Sequence, residues 1–130
     1  MILYDSSGFA LTGKDNTATL ELFVKAEQSN GKIAWNDGQN WYLIVRAGDT
    51  IFKLLDNLYV QNGQVNYWSY WSYDEESPRL LVMVQDGAGI EEFSYTFDKD
   101  KDVFNRERLF ATAGNIGMLD SNTSILKNEH

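Results

Sequence analysis

The stretch Val65-Asn66-Tyr67-Trp68-Ser69-Tyr70-Trp71-Ser72-Tyr73 constrains this chain more than any other. Five of its nine residues are large aromatics, and alternate side chains of a strand point to opposite faces. Val65, Tyr67, Trp71 and Tyr73 then share one face, and Trp68 and Tyr70 the other. A half-buried strand is polar on its second face, whereas this one is aromatic on both. Either it is a central strand covered on both sides, or one face is a binding surface. Val65 assigns Tyr67, Trp71 and Tyr73 to the core. Trp68 and Tyr70 are left as the candidate surface.

The neighbouring segments repeat the alternation. Over Thr19–Glu27, Leu20, Leu22, Val24 and Ala26 face one way and Glu21, Lys25 and Glu27 the other, with Phe23 out of pattern. A helix ending at Asn30-Gly31 is the alternative reading. Lys32–Trp35 reads as a short strand. Trp41–Arg46 is apolar on both faces (Trp41, Leu43, Val45 against Tyr42, Ile44), which suggests a central strand. Arg79–Gln85 is an apolar run read as a buried strand, and Ile90–Phe97 directs Phe93, Tyr95 and Phe97 inward. The turns between these runs are Asn30-Gly31, Asn36-Asp37-Gly38, Asn62-Gly63 and Asp86-Gly87, residues that tolerate positive φ.

Two segments break the period of two. After Gly48-Asp49-Thr50, Ile51, Leu54, Leu55 and Leu58 recur at helical spacing, which predicts a short helix over 50–57 capped by Asp49 or Thr50. The competing reading is a strand pair turning at Asp56-Asn57. Asn105–Ala113 reads as a second helix docking through Leu109 and Phe110 and ending at Gly114. The fold expected is mostly antiparallel β with one short helix against the sheet, an α+β, β-grasp-like arrangement. The alternative is an all-β meander closing into a barrel or sandwich. At 130 residues the chain reads as one domain: an N-terminal arm over 1–18, a core over 19–97, and an extension over 98–130 with a loose tail.

The order of a strand hairpin, Gly48-Asp49-Thr50 into a Leu-rich segment, Asn62-Gly63, then Asn66-Tyr67-Trp68-Ser69-Tyr70-Trp71, and finally Asp86-Gly87 with Ile90-Glu91-Glu92-Phe93 resembles the transcobalamin C-terminal-like domains. These are β-grasp-like modules of many secreted bacterial proteins. The resemblance spans residues 19–97 and implies a helix over Ile51–Leu58 and an extracellular binding role. The chain departs from that pattern at Asp74-Glu75-Glu76-Ser77-Pro78, where a second Asn-Gly turn is expected, and at Arg79–Val84 in place of a glycine-rich lead.

Composition narrows the chemistry. A net charge of −8 argues against a nucleic-acid or anionic-membrane partner, which needs a basic patch to neutralise phosphate. Cysteine is absent, which removes disulfides, thiolate metal sites and cysteine nucleophiles. The one histidine is His130, at the end of the sequence, so a Ser-His-Asp triad has no fixed imidazole. Asp98, Asp100 and Asp102 have the spacing of a calcium loop, but Val103 and Leu109 stand where glycine and glutamate are needed, so a solvated turn is expected. Gly87-Ala88-Gly89 lacks the partners of a phosphate loop. Glu75, Glu76, Glu91, Glu92 and Asp86 could serve carboxylate-only hydrolysis, but all lie in or beside turns. Asn122-Thr123-Ser124 fits a glycosylation sequon. No apolar run is long enough to span a membrane. Met1–Ser6 is too short and polar for a signal peptide, which leaves a cytosolic chain or one whose signal has been removed.

The expectation is a non-catalytic binding module with no cofactor and no metal, extracellular or at the cell surface, that takes a small molecule, a glycan or a protein. Tryptophan and tyrosine supply rigid contact area with a polar handle. The expected site is Trp68 and Tyr70, with Asp74, Glu75 and Glu76 as an acidic rim. The alternative is a small acidic cytoplasmic protein, an inhibitor or immunity-type factor, that masks a basic partner surface.

Overall fold

The computed structural model describes residues 1–12, 17–35, 37–75, 77–87 and 89–113. Ten strands are formed among them: β1 (Ile2–Ala10), β2 (Thr17–Lys25), β3 (Glu27–Ser29), β4 (Lys32–Ala34), β5 (Gly38–Ala47), β6 (Thr50–Gln61), β7 (Gln64–Ser72), β8 (Ser77–Asp86), β9 (Gly89–Asp98) and β10 (Val103–Ala113). Every pairing is antiparallel. The first sheet has the order β1-β2-β5-β6, the second β10-β9-β8-β7, and β3-β4 is a separate two-stranded hairpin. The sheets do not close into a barrel.

The two four-stranded sheets share one core. The first contributes Leu20, Leu22, Val24, Trp41, Leu43, Val45, Leu55 and Val60, and the second Val65, Leu80, Val82, Val84, Phe93 and Tyr95. The alternation read over Thr19–Glu27, Trp41–Arg46 and Ile90–Phe97 supplies these residues. Burying a large apolar side chain contributes about 1.5–3 kcal/mol. The Tyr95 hydroxyl donates to the Leu54 carbonyl at 3.2 Å, tying β9 to β6. Burial raises the Tyr95 pKa, against the opposing pull of Arg106. Phe52, Phe97 and Phe104 pack as a ring cluster across the two sheets, with centroids 5.0–5.4 Å apart.

No helix is formed among the described residues, which corrects the α+β expectation. Gly48-Asp49 is a two-residue hairpin turn between Ala47 and Thr50, with Gly48 at φ 59°. A glycine at positive φ in the first central position suits such a turn. Residues 50–57 continue as β6. The register of β6 slips between Leu58 and Leu55 and again between Leu55 and Lys53. Each slip adds a residue to β6 and reverses which parity faces inward. The inward residues therefore fall at Phe52, Leu55, Leu58 and Val60, a spacing that looks helical in sequence. Asn57, at φ 58°, sits inside the first slip. The helix that the transcobalamin-like resemblance implies is thus a bulged strand.

Asn105–Ala113 is also strand, as β10, with a register shift around Leu109. Leu109 and Phe110 are exposed and do not dock. Residues 2–10, read as part of an arm, form β1 paired along β2. Asn30 and Gly31 take φ 54° and 77° and close the β3–β4 hairpin. Asn36 of the hairpin expected at Asn36-Asp37-Gly38 lies outside the described residues; among the described residues β5 pairs with β2 and β6 and not with β4.

Asn62-Gly63 does not close a hairpin within one sheet either. It carries the chain from β6 in the first sheet to β7 in the second. Asn62 N–H donates to the Asp37 carbonyl at 2.6 Å and Gly87 N–H to the Gln61 carbonyl at 2.9 Å, fastening this junction to the start of β5 and to the β8–β9 turn. A Cβ on Gly63 would stand 1.7 Å from the Gln85 carbonyl oxygen, so only glycine fits there. On the opposite flank, the Tyr67 hydroxyl donates to Asp5 Oδ2 at 2.9 Å, joining β7 to β1. Residues 114–130, including Gly114, the sequon and His130, lie outside the described residues.

Candidate functional site

A sheet with one face on the core carries polar side chains on the other. The outer face of the first sheet departs from this. Leu3 of β1, Phe23 of β2 and Tyr42 of β5 stand side by side across three strands. The adjoining row is Ser6, Glu21, Ile44 and Lys53, and the next is Gly8, Thr19, Arg46 and Ile51. Phe23, Tyr42 and Ile44 are half-buried, while Leu3 and Ile51 are exposed. An apolar band therefore crosses the sheet on its solvent side.

The slips in β6 open a depression in this band. They leave Tyr42 with no cross-strand neighbour on β6. The side chain of Asn57 occupies part of the gap, its Oδ1 accepting from Tyr42 Oη at 2.8 Å and from Asn40 Nδ2 at 2.9 Å. Beside it an open hollow of about 390 Å³ is lined by Met1, Phe23, Tyr42, Ile44, Arg46, Ile51, Lys53, Leu55 and Asp56. This lies at the lower end of the 300–1,000 Å³ typical of small-molecule sites.

The charges around the hollow are differently committed. Arg46 forks onto Glu21, with Nε donating to Oε2 at 2.9 Å and Nη2 to Oε1 at 3.2 Å. Glu21 is nearly buried, and its hydrogen bond, followed by its charge, raises the Arg46 pKa above an already high value. Lys53 makes no ion pair among the described residues. Asp56 supplies the one carboxylate of the lining.

Trp68 and Tyr70 stand on the outer face of the second sheet, on the opposite side of β7 from Val65 and Tyr67. Trp68 is half-buried opposite Leu81, and Tyr70 is exposed opposite Arg79. Asp74 and Glu75 are exposed in the β7–β8 turn. Glu75 is ion-paired with Arg79, so part of the expected acidic rim is neutralised beside Tyr70. Glu76 lies outside the described residues. Tyr67 packs against the core, as expected, but Tyr73 does not: it sits in the turn, 71% exposed. A smaller opening of about 190 Å³ lies where β1 approaches β7, lined by Gly8, Phe9, Ala10, Ser69, Tyr70, Trp71 and Pro78.

A third aromatic group gathers at the end of the first sheet. Trp35 stacks on Trp41 at 6.1 Å, and Tyr4 meets both edge-on at 5.9 and 5.3 Å.

No family model, curated protein or solved structure matches this chain.

The hollow of the first sheet was not picked out by sequence reasoning. Its signals were Phe23, out of step with its strand, and Tyr42 and Ile44, apolar on a second face. Both are explained by one exposed apolar surface. Among the described residues no cluster of His, Cys, Asp or Glu could hold a metal ion, and no helix is long and apolar enough to cross a membrane. The Asp98–Asp102 segment is a turn in which Asp98 Oδ1 accepts from the backbone N–H groups of Asp100 and Lys101.

Proposed function

We propose that this chain is a non-catalytic binding module that holds a small molecule on the outer face of its first sheet. The observation that carries the reading is the hollow beside Phe23, Tyr42 and Ile44 on a face that solvent would otherwise make polar. Its lining supplies apolar area and a few charges but no imidazole or thiol, which suits retention of a ligand better than covalent chemistry. The Trp68–Tyr70 face is the second candidate, favoured by the exposure of Tyr70. The opening described beside Tyr70 is about 190 Å³, half the volume of the first-sheet hollow.

Saturation-transfer NMR with a set of small aromatic fragments tests the reading on three proteins: the wild type, Phe23→Ser and Trp68→Ala. Fragments are expected to bind the wild type and Trp68→Ala alike and to lose their signal with Phe23→Ser. Loss with Trp68→Ala and retention with Phe23→Ser would move the site to the second sheet. Equal signals from all three proteins would remove both faces.

A further inference from the structure

Resting on the reading above, we infer that the hollow selects small amphipathic carboxylates, molecules with an aryl or branched alkyl body and one anionic end. The chain as a whole is acidic, with nineteen aspartates and glutamates against eleven lysines and arginines. The lining of the hollow does not share that excess: Arg46 is compensated by Glu21, which leaves Lys53 and Asp56 as its uncompensated charges among the described residues. The two cations differ in what they can offer. Arg46 has two of its donors spent on Glu21. Lys53 carries an ammonium with three donors and no ion-pair partner among the described residues.

Placement supports Lys53 as the recognising group. It lies directly opposite Ile44, which lies directly opposite Glu21. Two strand spacings, roughly 10 Å, therefore separate Lys53 from Glu21 along the row. Glu21 is held by Arg46 and does not neutralise Lys53. Phe23, Tyr42 and Ile44 give the apolar body its floor, and Lys53 stands at its margin to meet the carboxylate. A peptide is the weaker fit. Phe23, Tyr42 and Ile44 stand on β2 and β5, which have neighbours on both sides, so a peptide would find a strand edge to extend only at the margins, on β6 or β1.

The test is calorimetric titration of the full chain with 4-phenylbutyrate, 4-phenylbutanol and 4-phenylbutylamine, which share one apolar body. The acid is expected to bind about threefold to tenfold more tightly than the alcohol, the range for a charge-assisted contact at an open site, and the amine more weakly than both. Lys53→Gln is expected to bring the acid and the alcohol to the same affinity. An amine that binds as well as the acid would overturn the inference, because Asp56 would then set the preference. So would an acid-to-alcohol ratio that survives Lys53→Gln. In both cases alcohol binding keeps the site itself standing. Failure of all three probes to bind would overturn the inference together with the reading it rests on. Tighter binding of a peptide ending in phenylalanine than of 4-phenylbutyrate would overturn the small-molecule assignment.

Discussion

At the scale of single residues, the tryptophans of the central strand β5 and the edge strand β7 separate packing from surface. Trp41 is 1% exposed in the shared core, whereas Trp68 is half-buried on an outer face. Trp41→Ala is expected to cost about 3–5 kcal/mol, and Trp68→Ala about 1 kcal/mol. Chemical denaturation of the two variants measures both. Tyr67 is a pH-sensitive tie. Burial first, with the Asp5 contact adding to it, raises its pKa to about 12, while the Ser7 contact opposes. The ordinary phenol ionises near pH 10 in the unfolded chain. Between these values the folded protein keeps a proton that the unfolded chain has lost. The stabilisation is complete below pH 10 and is lost as pH rises toward 12. Denaturation midpoints of the wild type are expected to fall over that window. Tyr67→Phe is expected to lose about 1.5–3 kcal/mol at neutral pH, the range for a hydrogen bond to a charged group, and to show a shallower fall above pH 10.

At the scale of elements, the junction between the sheets depends on backbone approach. Gly63 lies against the Gln85 carbonyl with no room for a Cβ. Gly63→Ala is therefore expected to cost about 1–3 kcal/mol by forcing β7 away from the β8–β9 turn, while Gly8→Ala, with nothing near its site, is expected to leave the melting temperature within a few degrees. Thermal melts of both variants compare the two positions. The same elements show what was legible in the sequence. Regular strands were readable because alternation survives along them: Leu20, Leu22 and Val24, or Phe93 and Tyr95, point inward as their spacing implies. The strands β6 and β10 were misread because bulges reverse the parity partway along. The inward Leu55 and Leu58, with the half-buried Leu54 and the exposed Ile51, then mimic a helical stripe, and Leu109 and Phe110 a docking face. A bulge is set by the partner strand, and the sequence of one strand does not carry it. The Asn62-Gly63 turn was recognisable as a turn, but whether it joins strands of one sheet or of two depends on contacts with Asp37 and Gly87.

At the scale of the molecule, a small two-sheet protein has two inner faces to bury and two outer faces to present. The inner faces are filled by the core residues of both sheets. The outer faces carry part of a heavily aromatic composition of four tryptophans, seven tyrosines and seven phenylalanines, among them Phe23, Tyr42, Trp68 and Tyr70. The pair Trp68 and Tyr70 was visible as a surface because its strand is aromatic throughout. The first-sheet hollow was less visible because it is assembled from Phe23, Tyr42, Ile44 and Lys53 on three strands, brought level by register alone. Its charge balance likewise differs from that of the whole chain, so net charge gave no hint of it. The most direct test of the proposed site is backbone-amide NMR of the labelled full chain titrated with 4-phenylbutanol, a neutral probe that does not depend on Lys53. Saturable shifts are predicted at Phe23, Tyr42, Ile44 and Lys53, with Trp68 and Tyr70 unmoved. Shifts gathered on Trp68 and Tyr70, or no saturable shifts at all, would contradict it.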